Sequence, residues 1–188
     1  WLVNAAGAHA DAIAKLVGCE HGVKPRRGQI AVLEASERMP QARVASAGSL
    51  LAKHGAGQAG KASANVALSY LSRPSSGTVL LGSTNEFAGF DTRTTRQGIA
   101  GICADAIRLM PRLASAAVVR AWAGLRPYRA EGPLLGKGAG PAGYVTAIGH
   151  GGDGVALSPI TGSYVADCIA NDEKSEDISM YLRTCRSS

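Results

Sequence analysis

Long basic runs, close cysteine pairs and membrane-length apolar stretches are all missing from this chain of 188 residues. Its four cysteines stand at positions 19, 103, 168 and 185, with no Cys-x-x-Cys spacing. Zinc and iron–sulfur ligation therefore lack the paired ligands that such sites use. The histidines at 9, 21, 54 and 150 are equally dispersed, and no metal site is expected. Reduced, structural thiols in a cytoplasmic protein are the default for this pattern. No apolar run approaches the roughly 20 residues that span a bilayer, which predicts a soluble product without an integral membrane segment. The formal charge of +6 comes from basic residues scattered among Lys24, Arg26, Arg27, Arg43, Arg73, Arg93, Arg96 and Arg108. That distribution reads as a solvated basic surface and predicts no nucleic-acid partner. Disorder is excluded by 46% hydrophobic against 18% charged residues.

What is present reads as α/β at both ends with a β-rich middle. Trp1–Ala6 reads as a buried apolar strand with no basic leader, as if an internal strand had been cut open. Ala10–Val17 has the spacing of a short amphipathic helix closed by Gly18. Gln29–Leu33, Ser46–Leu51 and Asn65–Ser72 are strand candidates. Arg73–Gly77 is a turn that would join Asn65–Ser72 to Thr78–Gly82 as a hairpin, and residues 54–61 form a glycine-rich surface loop. Between Thr94 and Leu113, Ile99, Ile102, Cys103, Ala106, Ile107 and Met110 recur at helical spacing until Pro111 ends the run. Val118–Leu125 is a strand, with a turn at Glu131-Gly132. Tyr144–Ile148 is another strand, and Ser158–Ala170 a helix with Ser158 as N-cap and Pro159 in its first turn.

The chemistry concentrates late in the chain. Gly149-x-Gly151-x-x-Gly154 lies between a strand and a helix and matches a dinucleotide fingerprint. A ribose-binding acidic residue is also required, about 20 positions on and after a second strand. Asp172 and Glu173 stand near that distance, but in a polar tail. A plain glycine-rich connection is the competing reading. Arg126, held between an apolar strand and Pro127, could grip a carboxylate with two parallel hydrogen bonds, or form a structural ion pair with Glu131.

Taken in order, Val3-Asn4-Ala5-Ala6-Gly7-Ala8, Arg27-Gly28-Gln29, Trp122–Pro127, Gly149–Gly154 and Ser158–Gly162 resemble the C-terminal half of the FAD-dependent D-amino-acid, glycine and amine oxidases. The resemblance implies an α/β fold plus an antiparallel sheet. Residues 1–22 and 131–188 would be parts of an FAD-binding domain, and 23–130 an inserted antiparallel substrate domain. It implies FAD as cofactor, with the isoalloxazine edge near Ala6, Gly7, Gly149, His150, Gly151, Gly152, Asp153, Gly154 and Val155, met mainly by backbone atoms. A helix N-terminus there would stabilise the negative charge of the reduced flavin. Arg126 would hold the substrate carboxylate, and Tyr70 would line the pocket.

Departures from the family pattern refine these expectations. Some glycine-oxidase-like members carry a second arginine where this chain has Gly152, so a second carboxylate clamp is expected to be absent. No cysteine falls in 126–132, so FAD would be bound non-covalently. The implied reaction is hydride transfer from the substrate Cα of an amino acid or secondary amine to flavin N5, governed by positioning. No side chain is named as a proton-transferring catalyst. The glycine-rich unit that binds the ADP half of FAD has no counterpart here. A missing N-terminal segment or a partner subunit would supply it, and the 188 residues alone would not retain FAD. The alternative is a subunit of a heteromeric amine dehydrogenase of the opine or hydroxyproline kind, or a truncated chain.

Overall fold

The computed structural model describes residues 1–34, 44 and 77–170. Among them run β1 (Leu2–Asn4), α1 (Ala10–Leu16), β2 (Lys24–Glu34), β3 (Thr78–Gly82), α2 (Arg96–Leu109), β4 (Ala117–Tyr128), β5 (Leu134–Gly136), β6 (Tyr144–Ile148) and α3 (Gly154–Ala170), with short 3-10 turns at Gly7–His9 and Pro111–Ser115. The fold is mixed α/β and divides into two units, Trp1–Arg26 with Arg126–Ser188, and Arg27–Leu125.

The first unit is built around β6. Its β-branched and aromatic residues favour a strand, and Tyr144, Val145, Thr146 and Ile148 are buried, as a central strand requires. It runs parallel to β1, pairing Leu2 with Tyr144 and Asn4 with Thr146. It is antiparallel to β5, pairing Leu134 with Ile148. Helix α3 packs on β5 and β6, and α1 on β1. A polar knot fixes the start of α1. The buried Asn4 side chain donates to the Ala10 carbonyl at 2.9 Å and bonds the Tyr144 hydroxyl at 2.7 Å. That hydroxyl lies 3.2 Å from His21 Nε2, and the His21 backbone N–H donates to Asp11 at 3.1 Å. Burying these groups is tolerable because they satisfy one another.

In the second unit β2 lies between β3 and β4, antiparallel to β3 with Ala31 opposite Leu81 and Leu33 opposite Val79. Those four side chains, with Ile102 and Ala106 of α2 and Leu113, form its core. Each large apolar side chain buried there contributes about 1.5–3 kcal/mol. Helix α2 starts where the Thr95 hydroxyl accepts the Gly98 N–H at 3.1 Å. Beneath that cap Arg27 bonds Glu86, Asp91 and the Arg93 carbonyl. Gln29 bridges Glu86 and Thr95, at 2.8 and 3.1 Å. The Glu86 carboxyl is pushed up by desolvation. Hydrogen bonds from Thr84, Arg27 and Gln29, and the charge of Arg27, outweigh that and hold it below its usual range.

Several expectations need correction. The strand read as buried over Trp1–Ala6 covers Leu2–Asn4, with Leu2 and Val3 exposed and Asn4 buried. The strand read at Val118–Leu125 extends to Tyr128, carrying Arg126 and Pro127 within it. Helix α2 closes at Leu109, and Pro111 opens a separate 3-10 turn. Helix α3 begins at Gly154, so Ser158 is not its N-cap and Pro159 lies inside it. The Ser158 hydroxyl donates to the Val155 carbonyl at 2.8 Å, the very acceptor that a proline four residues later cannot serve. Strand β5 went unread. The strand candidates Ser46–Leu51 and Asn65–Ser72, the loop at 54–61, and Tyr70 lie outside the described residues.

Candidate functional site

Since β1 and β6 are parallel neighbours, the segments that leave them, Ala6-Gly7 and Gly149–Val155, emerge at the same edge of the sheet. Crevices beyond the carboxyl ends of parallel strands are where open α/β sheets bind ligands. The 149–155 turn is held against the end of β4. The Gly151 N–H donates to the Pro127 carbonyl at 2.9 Å, and His150 forms a β-bridge with Tyr128. Gly149 is required twice over. Its φ is +80°, and a Cβ there would lie 3.0 Å from Arg129 Cβ and 3.2 Å from the Gly132 carbonyl. Gly151, at φ +58°, takes the same left-handed conformation that disfavours side chains.

Asp153 stands at the N-cap of α3, its carbonyl accepting the Leu157 N–H at 3.0 Å. The first-turn N–H groups of Gly154 and Val155 have no carbonyl within the helix to serve. Val155 is 91% exposed. His150 Nε2 lies 3.1 Å from the Thr161 hydroxyl. Burial lowers its pKa and so favours the neutral ring, in keeping with an orienting role.

Two arginines flank the glycines. A Cβ on Gly152 would lie 3.7 Å from Arg126 Cδ and 3.8 Å from its Nε. A Cβ on Gly151 would lie 4.0 Å from Arg26 Nη2. The Arg126 guanidinium is destabilised in its charged form first by burial and then by the charge of Arg26. Arg26 is also desolvated, and burial outweighs the opposing charges of Tyr128 and Asp153, so that its pKa is lowered. Its guanidinium carbon sits 4.7 Å from the centroid of the Tyr128 ring, a cation–π arrangement. Its buried Nε has no hydrogen-bond partner among the described residues. Glu131, considered as a structural partner for Arg126, pairs with Arg129 at 3.5 Å. Arg129 also donates to the carbonyls of His21 and Gly132 at 2.9 and 3.2 Å. Arg129 is thus woven into the fold.

The structure therefore brings Arg126, the glycine turn, His150 and Asp153 together, with Ala6 and Gly7 at the same sheet edge. Arg26 and Tyr128 were missed. Arg26 was one scattered cation among several in the sequence, and only the fold carries it across the hundred or so intervening residues to Arg126. Among the described residues no three His, Cys, Asp or Glu side chains form a metal cluster, and no helix is long and apolar enough to cross a membrane.

A family model described as FAD dependent oxidoreductase matches residues 1–168. The hydrogen cyanide synthase subunit HcnC of Pseudomonas protegens is 36% identical, over 96% of this chain and 39% of its own length. Glycine oxidase from Geobacillus kaustophilus is 29% identical, over 97% of this chain and 44% of the relative. Its crystal structure superposes with a TM-score of 0.76 at 28% identity, over 95% of this chain and 44% of that one. The structure of iminodiacetate oxidase from Chelativorans sp. gives a TM-score of 0.75 at 25% identity, with the same coverage. The chain spans about two fifths of the length of these relatives.

Proposed function

From the premise that this chain belongs to the FAD-dependent oxidoreductase family, we propose that it is the C-terminal half of an enzyme that oxidises an amino acid or secondary amine. The carrying observation is the meeting of Arg126 with the glycine turn, at a sheet edge where a planar cofactor and a small carboxylate would lie side by side. The family binds FAD, and the residues present fit its isoalloxazine edge. Gly151 and Gly152 carry no side chains into the crevice, and the first turn of α3 points N–H groups and a partial positive charge where the reduced ring is negative.

In this reading Gly151, Gly152, Asp153, Gly154 and Val155 hold the flavin edge through backbone atoms, with Gly149 and His150 shaping their turn and Ala6 and Gly7 bounding the same crevice. FAD, bound non-covalently, supplies the hydride acceptor. Arg126 fixes the substrate carboxylate and so the position of its Cα–H, the main lever in a reaction governed by approach geometry. Neutral His150 keeps the turn in place through Thr161. Residues 1–22 and 131–188 would then belong to the cofactor domain and 23–130 to the substrate domain, with Tyr70 lining the pocket. Residues outside these 188, in the same polypeptide or in a partner subunit, would hold the pyrophosphate.

The test is anaerobic addition of amino acids to the full-length, FAD-loaded protein. Bleaching of the flavin's visible absorption by amino acids carrying an α-carboxylate, and not by the matching decarboxylated amines, is the expected result. A second reading, a dehydrogenase subunit, is favoured by the likeness to a protein named as a synthase subunit. Dye reduction without oxygen consumption would select it.

A further inference from the structure

Arg26, near the start of β2, has no part in gripping the substrate carboxylate, yet it brings a charge to the edge of the glycine turn. Its guanidinium carbon lies 4.7 Å from the centroid of the Tyr128 ring, and Tyr128 is in turn bridged to His150 at the start of the turn. Its Nη2 lies 4.0 Å from the place where a Gly151 side chain would begin. Arg26, Tyr128 and the turn all belong to the first unit. Stacking on the ring fixes where the guanidinium sits, and an arginine stays protonated at any pH where a protein of this kind works. A permanent positive charge therefore stands beside Gly151, on a different element from the start of α3.

We propose that Arg26 tunes the reduction potential of the bound flavin, raising it by stabilising the reduced, anionic ring from the side of Gly151. The inference rests on the reading that sets the isoalloxazine edge against residues 151–155. Hydride transfer carries two electrons and one proton from the substrate Cα to flavin N5, so the ring gains one negative charge and the amine one positive charge. A cation already fixed in place favours that transfer without having to reorganise as the charge appears. At an effective dielectric of about 20, a unit charge roughly 10 Å away shifts such an equilibrium on the order of tenfold. Removing Arg26 compares two proteins that share every other charge, so the expected difference holds whatever else pairs with Asp153 and Arg126.

The experiment measures the two-electron midpoint potential of FAD in the full-length protein, by equilibration against a reference dye, in wild type and in Arg26→Met, Arg26→Gln and Arg26→Lys. No amine substrate is required. Both neutral variants should fall by about 30 mV or more, which is tenfold in the reduced-to-oxidised ratio. Arg26→Lys, which keeps the charge, should hold that ratio within about twofold of wild type. A merely structural arginine would not sort its variants by charge. As a control, Gly152→Asp puts a negative charge on the turn itself, at a residue outside the left-handed region where a Cβ would meet Arg126 no closer than 3.7 Å, and it should lower the potential too. Unchanged potentials in both neutral variants, equal falls in all three Arg26 variants, or loss of FAD from both neutral variants would each overturn the proposal. If Gly152→Asp lowers the potential and the Arg26 variants do not, the assignment of Arg26 alone falls. If none of the four moves it, the flavin edge lies away from the turn, and the reading beneath the proposal falls with it.

Discussion

Arg26 and Arg27 are consecutive on β2, where successive side chains point to opposite faces, and their surroundings could hardly differ more. Arg27 has a side chain only 7% exposed and is matched on every side by Glu86, Asp91 and the Arg93 carbonyl. Arg26 has an aromatic face beneath it, a buried Nε with no hydrogen-bond partner among the described residues, and the charge of Arg126 nearby. The first arrangement is how a fold accommodates a buried cation. The second pairs the cation with an aromatic face and the charge of Asp153 instead of a ring of hydrogen-bonding acceptors. Arg129, bound to two carbonyls and Glu131, sides with Arg27.

The largest effect that would sharpen this contrast is on stability. Arg27→Met strands Glu86 beside Gln29 and Thr84, and should cost about 3–5 kcal/mol, the usual penalty for removing one partner of a buried pair, read as a lowered urea midpoint. An unchanged midpoint would erase the distinction. Arg126→Met should do the reverse in the FAD-loaded protein. The midpoint stays near wild type, while substrate capture weakens by about 2–5 kcal/mol, or ~30- to several-thousandfold in kcat/KM, with Arg126→Lys recovering only part. Were acid and non-acid amines to suffer equally, Arg126 would join the structural arginines. Smaller again is Gly151→Ala. Space beside Gly151 is open to 4.0 Å, so the cost is the left-handed backbone alone, about 1–2 kcal/mol, visible as a few degrees in Tm.

The mildest test is pH. The Glu86 carboxyl is held below its unfolded value, so its contribution to stability is complete above that unfolded pKa and disappears as pH falls through the lower, folded one. Glu86→Gln should flatten the acid limb of the stability curve. A limb unchanged by the substitution would mean that the Arg27 knot is not electrostatic in origin.

Local chemistry made much of the fold legible. The unbroken β-formers of Tyr144–Ile148 gave that strand its true limits, and the apolar spacing of Ile99, Ile102, Ala106 and Met110 marked α2. Legibility failed where a neighbour distant in sequence decides. Ser158-Pro159 carries every local sign of a helix start, but α3 begins four residues earlier because the turn before it is fastened to β4 through Gly151 and Pro127. Three-residue β5 has too few positions to show a period, and is a strand because β6 offers an edge. At the site, the resemblance singled out Arg126 and the glycines. Nothing along the chain links Arg26 to them, since proximity built by folding leaves no spacing to read.

The pairing of β1 with β6 has a temporal side. Asn4 and Tyr144, joined in the polar knot, are 140 residues apart in sequence, and the segment between them includes the whole of the continuous unit Arg27–Leu125. Closing a flexible loop of roughly a hundred residues costs about 4 kcal/mol of chain entropy. Prior folding of the intervening unit shortens that search. On the ribosome β1 emerges long before its partner strand exists, so its pairing with β6 can be completed only after the whole of the continuous unit has been made. If folding of the intervening unit assists that closure, damage to the Arg27 knot should lower the yield of folded protein without altering the residues of the glycine turn, which a refolding-yield measurement on Arg27→Met would read.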